Sequence, residues 1–429
     1  MCSGGREWAE ATGQQWWKGV GGGHRTGVHT GANSTPLEGP GALGSPAPWT
    51  PSHPGAVQAM LSALVTRAGQ ARDTGVILFC TDAPRPPAPG PGKLLLRVLA
   101  SSFAAGDVHM LSGRVSLVFA PDRYPYCPGM DVCGEVVAVG SLPPSALPSS
   151  PRFSVGDVVA AFVQGGACTA EFVVVDAAKA AVKPAGVPAT AAAACVTSSV
   201  TALNAAMRGA ARVRPGDRVL VLGGSGGVGS SVVQLARAAG AGFVAATSTQ
   251  GALLRRLGCN RVLDYREPGQ DWWRDADFRA APLDVVIDCV GGNAHYAKAC
   301  SGGVLKRRSA GGRFVAVSGD VNEPLVKTVA QLIGFAGGMM WALLVRPLWA
   351  ALTGAPSYSA IASFASASDI REVLGLMEAG KLAVALDECG PFPFSADGVR
   401  AALSLQQSGR AHGKVVVDVA GGRRVAPKV

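Results

Sequence analysis

Cysteine pairs at metal-binding spacing are missing from this chain. Its ten cysteines stand at 2, 80, 127, 133, 168, 195, 259, 289, 300 and 389 with no Cys-x-x-Cys, which excludes a zinc ribbon and a small disulfide scaffold. They read instead as reduced, mostly buried thiols of an intracellular protein. Long basic runs are missing too. Lys plus Arg number 39 against 29 Asp plus Glu, a formal charge of +10. Yet no run exceeds Lys306-Arg307-Arg308 and no aromatic platform interleaves with it, so no nucleic-acid partner is expected. The positive balance serves solubility and attracts anionic small molecules. Charged residues are sparse at 16%, whereas 48% are hydrophobic, which excludes a chain disordered throughout. The first 54 residues lack both an apolar signal core and the acid-poor, Arg-rich character of a transit peptide. They hold Arg6, Lys18 and Arg25 against Glu7, Glu10 and Glu38, so targeting finds no support there.

What is abundant is glycine, 57 residues, and proline, 29. Such a chain is full of turns and close backbone approaches and fits an α/β protein better than long helices. Residues 1–57 are rich in Gly, Ser, Thr and Pro and are expected to form a disordered extension; alternatively the functional start is Met60. From there short Val- and Leu-rich runs follow one another: Met60–Thr66, Val76–Phe79, Lys93–Leu99, Gly134–Val139, Asp157–Val163 and Ala170–Val175. Each is bounded by Gly, Pro or Asp, which predicts a small β-barrel. After Pro184 an Ala-rich helix over Ala189–Arg208 leads into alternating strands and helices. Their strands, Arg218–Leu222, Phe243–Ala246, Asp284–Cys289 and Arg313–Ser318, are continuously apolar, the mark of a doubly wound parallel sheet.

The strand Arg218–Leu222 runs into Gly223-Gly-Ser-Gly-Gly-Val-Gly229 and then the helical Ser230–Ala239. In that setting Gly224-x-Gly226-x-x-Gly229 is a dinucleotide fingerprint. Its glycines make a tight turn, let the backbone approach a pyrophosphate and let helix pack on strand. Free amides at Val228–Ser231 and the helix dipole would hold the phosphates. An NAD site places an acidic residue about 20 positions on, for the ribose hydroxyl. Here the second strand ends in Ser248-Thr249-Gln250, with Arg255 and Arg256 nearby and no carboxylate. That pattern favours NADPH, although either arginine alone reads equally well as a solvated helix face.

Together with the glycine loop, Pro128-Gly-Met-Asp-Val-Cys-Gly-Glu-Val136, Phe153-Ser-Val-Gly-Asp-Val158, Val262-Leu-Asp-Tyr265 and Asp284-Val-Val-Ile-Asp-Cys-Val-Gly-Gly292 resemble the zinc-independent medium-chain dehydrogenase/reductases. The group is that of quinone oxidoreductases and zeta-crystallins, and the likeness runs from about Met60 to the C-terminus. The tail, Phe392-Pro-Phe-Ser395 and Ser408-Gly-Arg-Ala-His-Gly-Lys-Val415, is most similar to the mitochondrial reticulon-4-interacting oxidoreductases. The resemblance implies a GroES-like catalytic β-barrel over 58–180, completed by about 355–429, and an inserted Rossmann NADP-binding domain over 181–354. By motif, Ser225, Gly227 and Val228 would meet the pyrophosphate and Ser248, with Thr249 and Tyr265, the adenosine phosphate end. Cys289 and Val290 would face the ribose and nicotinamide, and Arg410, Ala411 and His412 would close over the cofactor. Zinc-dependent cousins carry a Cys in the loop held here by Ala104-Ala105-Gly106 and a His where this chain has Met130. Ser141–Ser150 lacks the thiols of a structural zinc lobe. No metal is therefore expected, and His109 with Cys127 read as core or surface residues.

Without a Lewis acid, alcohol oxidation is a poor fit, whereas a quinone or α,β-unsaturated carbonyl accepts hydride and delocalises the charge. The expected enzyme is an NADPH-dependent reductase of such acceptors. Tyr124, Tyr126 or a water would donate the proton, and Asp107 and Asp131 would fix local loops. An enoyl-thioester reductase and a cofactor-binding scaffold without turnover are the alternatives. Thr328–Val345 is an 18-residue tract without charge, at the threshold length for a membrane span. Leu332, Phe335, Met339 and Leu343 fall near helical spacing, so a buried or homodimer-contact helix is expected rather than membrane attachment. The resemblance implies a mitochondrial or plastid location, with the cytoplasm as the alternative.

Overall fold

The computed structural model describes residues 59–121, 123–141, 152–209, 212–292, 294–317, 325–361 and 365–422. The expectations for the extension 1–57 and for the thiol-free loop within 142–150 lie outside these residues. The barrel part begins with β1 (Ala59–Val65), β2 (Ile77–Pro84), β3 (Lys93–Phe103), α1 (Ala105–Ser112), β4 (Asp131–Val139), β5 (Val158–Phe162), β6 (Phe172–Asp176) and β7 (Ala180–Val182). Then come α2 (Ala189–Met207), β8 (Arg218–Leu222), α3 (Gly227–Ala238), β9 (Phe243–Thr247), α4 (Gly251–Arg256), β10 (Arg261–Leu263), α5 (Ala276–Ala280), β11 (Val285–Asp288), α6 (His295–Gly302) and β12 (Arg313–Ala316). The chain closes with α7 (Val329–Met340), a π-helical turn at Trp341–Val345, α8 (Arg346–Thr353), β13 (Ser357–Ala360), α9 (Ala367–Glu378), β14 (Phe392–Pro393), α10 (Ala396–Ser408) and β15 (Val415–Asp418).

Two larger sheets result. One has the order β14-β15-β3-β4-β5-β7 with β6 also on β3, antiparallel except between β14 and β15. The tail strand β15 thus completes the GroES-like barrel. The other is the parallel Rossmann-like sheet β10-β9-β8-β11-β12-β13. Its central strands, Val285–Asp288 and Arg313–Ala316, are buried along their whole length. Helices covering both faces account for their unbroken apolar runs. This sheet runs past the boundary expected near 354, because Ser357–Ala360 pairs with β12 in register Arg313↔Ser357.

The two sheets share one core through α2. Ala192, Ala193 and Ala194 are fully buried, and their small side chains let the helix lie close to both bodies. One hydrophobic cluster therefore contains Ala100, Cys133 and Ala160 of the barrel together with Val219 and Val221 of β8. The apolar tract is the departure. It forms a helix as expected, but no residue from Thr328 to Val345 is buried. Most of its side chains project from the fold instead of filling it.

Candidate functional site

The glycine loop sits at the C-terminal end of β8. Gly223 takes φ +74°, and its N–H donates to Thr247 Oγ1 at 3.0 Å, while the Gly224 N–H donates to Thr247 O at 3.0 Å. The loop is thereby bound to the end of β9. The glycines do different work. A Cβ on Gly224 would lie 2.6 Å from Ala246 Cβ, and one on Gly229 would lie 2.2 Å from Gly223 O. Both positions are closed by the protein's own packing. At Gly226 the nearest atom would be 3.5 Å away, so this glycine leaves a face open to a ligand. Gly226 caps α3 with no side-chain hydrogen bond, which leaves the first-turn amides of Gly227, Val228 and Gly229 as donors for an anion.

Ser248, Thr249 and Tyr265 gather beyond the adjacent ends of β9 and β10, which pair in register Leu263↔Thr247. Ser248 is buried, and its hydroxyl accepts from the Gln250 N–H at 2.9 Å; Tyr265 is exposed. The Arg255 guanidinium folds back over the start of α4, 3.4 Å from where a Gly251 Cβ would stand. Cys289 and Val290 follow β11 next to the loop. The Cys289 N–H donates to Leu222 O at 3.1 Å, and Val290 Cγ2 lies 2.7 Å from a would-be Gly223 Cβ. Burial pushes the Cys289 thiol well above its ordinary value, so it stays protonated. The tail reaches the same place: Gly413 bridges to Gly226, and the His412 N–H donates to the buried Asp387 Oδ2 at 2.7 Å. Arg410 and Ala411 stand just before this bridge, with Arg410 exposed.

On the barrel side Asp107 holds local loops as expected, whereas Asp131 does not: it bonds to Ser102 of β3, Thr197 of α2 and Lys414 of the tail. Asp107 Oδ2 accepts from the Ala104 N–H at 2.9 Å and its Oδ1 from the Gly129 N–H at 3.0 Å. Burial pushes its carboxyl up to about 7, with the charge of Asp131 adding to the effect. The Met130 methyl packs against Gly106, within 2.4 Å of a would-be Cβ. Among the described residues no group of three or more His, Cys, Asp or Glu could hold a metal ion. Tyr124 and Tyr126 meet edge to face at 5.7 Å. Tyr126 is buried with its hydroxyl unpartnered, while Tyr124 is 39% exposed. Burial raises both phenols, so both keep their protons at neutral pH.

Residues 90–203 match the family of alcohol dehydrogenase GroES-like domains and residues 257–417 that of zinc-binding dehydrogenases. A 2-methylene-furan-3-one reductase from Solanum lycopersicum is 30% identical over 333 residues, 76% of this chain and 71% of that protein. The protein belongs to the medium-chain dehydrogenase/reductase superfamily. Among other members, a chloroplast envelope quinone oxidoreductase homolog from Arabidopsis thaliana is 26% identical over 77% of this chain and 91% of its own. The quinone oxidoreductase of Coxiella burnetii, 23% identical over 84% of this chain and all of its own with a TM-score of 0.63, shares the fold. So does a mycobacterial protein solved with NADPH, 24% identical with the same coverage and a TM-score of 0.61. A mycocerosic acid synthase-like polyketide synthase of Mycobacterium tuberculosis is 35% identical over 53% of this chain. The chain spans only 10% of that synthase.

Three features of this medium-chain dehydrogenase/reductase were not named from sequence. Asp288, 3% exposed, accepts from the Val290 and Gly291 N–H groups at 3.0 Å each and meets His295 Nδ1 at 2.9 Å. It sets the turn that presents Cys289 and Val290. Asp387 anchors the tail from 25 residues away. Lys414 lies under Gly227, whose Cβ would come within 2.8 Å of Lys414 Cδ. Asp288 lies in the Asp284–Gly292 motif and Lys414 in the Ser408–Val415 motif; for Asp288 the end of a buried strand was the available signal, whereas the contacts of Asp387 and Lys414 depend on chain closure.

Proposed function

We propose that the protein is a zinc-independent, NADPH-dependent reductase that passes hydride to a quinone or an α,β-unsaturated carbonyl. One observation carries the reading: Gly226 is open between two glycines closed by packing, and the neighbouring strand end offers Ser248, Thr249 and Arg255 but no carboxylate. That donor set suits a pyrophosphate at the start of α3 and a 2′-phosphate beside Arg255. Cys289, Val290 and the Arg410–His412 segment would border the rest of the cofactor. When bound, NADPH supplies the hydride.

The chain's own residues orient and shield. Asp288 holds the Val290 turn, Asp387 holds the tail against Gly226, and Met130 with Phe119 fills the loop beside Gly106 with apolar surface. Such an arrangement excludes water from an acceptor whose developing charge delocalises. Tyr124, protonated and the more exposed of the two phenols, is the proton source within reach of solvent. The tail likens the protein to the reticulon-4-interacting oxidoreductases within this superfamily.

The test is NADPH oxidation by 9,10-phenanthrenequinone, using protein dialysed against a strong chelator. Undiminished turnover is expected. Loss of turnover that added zinc restores would overturn the metal-independent reading. Half of the chain matches mycobacterial acid synthases, and this match favours one second reading, reduction of an enoyl thioester. Crotonyl-CoA in place of the quinone, oxidising NADPH while the quinone does not, would select it.

A further inference from the structure

The helix that continues from α7 through the π turn into α8 has two unlike faces. Ala342 packs partly on the core cluster under the parallel sheet, Ala350 is fully buried, and Arg346 between them stacks over Tyr358 at 4.7 Å and Tyr296 at 5.7 Å. Spaced four apart, these three residues form the inward side. Outward stand Ile333, Met340, Leu344, Leu348 and Leu352, between 59% and 80% exposed, flanked by Trp341 and Trp349. The helix is 25 residues long, roughly 37 Å at 1.5 Å per residue. Both of its ends are tied to the same folded body. Before α7, the Val326 N–H donates to Arg114 O at 2.7 Å and its carbonyl accepts from Leu117 N; after α8, Gly354 O accepts from the Arg308 N–H at 3.4 Å. A helix held in this way lies alongside the protein and does not cross a bilayer.

Charge decides what covers it. No Asp or Glu occurs between Lys327 and Asp369, and the sole charge within the helix, Arg346, turns inward. At the helix start stands the exposed Lys327. At its end, joined through Gly354, stand the exposed Arg307 and Arg308. A second copy laid antiparallel along this helix would set Lys327 of one helix against Arg307 and Arg308 of the other, cation to cation. An anionic surface satisfies both ends. Tryptophans beside the apolar stripe suit the boundary between headgroups and acyl chains.

We propose that residues 329–353 dock this protein in the plane of a bilayer bearing anionic headgroups. Ile333, Met340, Leu344, Leu348 and Leu352 enter the acyl boundary, and Lys327, Arg307 and Arg308 meet the phosphates. The inference goes beyond the reductase reading and does not depend on it.

The experiment is flotation of the purified full chain with vesicles of phosphatidylcholine alone or mixed with phosphatidylglycerol, beside its molar mass by light scattering. The expected result is co-flotation with the anionic vesicles, about tenfold or more above the neutral ones. Leu344→Glu/Leu348→Glu should abolish it with an unchanged melting temperature. Arg307→Glu/Arg308→Glu should reduce it to the neutral level. Failure to float with anionic vesicles would overturn the proposal, as would flotation that survives the double Glu variant. A dimer that the double Glu variant splits, without any flotation of the parent chain, would assign the face to a second copy and overturn it as well.

Discussion

Lys414 Nζ donates to Phe103 O at 2.7 Å and meets Asp131 Oδ2 at 3.3 Å, with the two side chains only 3% and 0% exposed. Asp131 also accepts from Ser102 Oγ and Thr197 Oγ1. The ion pair is therefore surrounded by hydrogen bonds, as a buried pair must be. It links a barrel strand, the tail strand and, through the packing of Lys414 on Gly227, the glycine loop. Breaking it from one side leaves the other charge stranded.

Lys414→Met is accordingly expected to destabilise the fold by about 3–5 kcal/mol, whereas Lys414→Met with Asp131→Asn should recover most of that loss. Urea denaturation of the two single variants and the double variant checks this. Equal and additive losses would show that the pair is not coupled.

Two glycine substitutions separate folding from binding. Gly229→Ala forces a Cβ to 2.2 Å from Gly223 O and should cost about 1–3 kcal/mol of stability. Gly226→Ala meets nothing closer than 3.5 Å, and its φ of −71° suits alanine. The melting temperature of that variant should stay unchanged while its affinity for NADPH falls about tenfold, ~1.4 kcal/mol, as read by fluorescence titration.

Asp107 gives the protein a stability term that depends on pH. Its folded-state value of about 7 lies above the ordinary carboxylate value of 3.8, so the folded chain retains a proton that the unfolded chain releases. The resulting stability is present below pH 4 and is lost as pH rises toward 7. Melting temperatures across this window should fall with rising pH, and Asp107→Asn should flatten the slope.

The proposed preference for NADPH over NADH rests on Arg255. Arg255→Ala should weaken NADPH binding about tenfold, ~1.4 kcal/mol, and leave NADH binding unchanged. Equal weakening of both would show that the guanidinium serves the helix and not the 2′-phosphate.

The strands and the glycine loop were legible because each is local. Arg218–Leu222 is continuously apolar and is followed at once by glycines with distinct duties. The Ala-rich stretch announced α2 because only small side chains let a helix enter between two sheets. What could not be read was made by closure. Lys414 and Asp131 are 283 positions apart, and nothing near either residue indicates the other. The bridge between Gly226 and Gly413 likewise exists only once the tail has returned to the barrel. The apolar tract was legible as a helix but not as an exposed one. Its inward side is marked by Arg346 over the Tyr296 ring, a contact between residues far apart in sequence that exists only in the folded chain.

The most direct test of the account is a fluorescence titration of the purified chain with NADPH and with NADH. Addition of 9,10-phenanthrenequinone to the same cuvette follows, with absorbance read at the reduced-nicotinamide band. Tighter binding of NADPH, then its oxidation on addition of the quinone, is the predicted result. Absence of binding by either nucleotide would contradict the reading of Gly226 as an open cradle, and binding without oxidation would contradict the reductase.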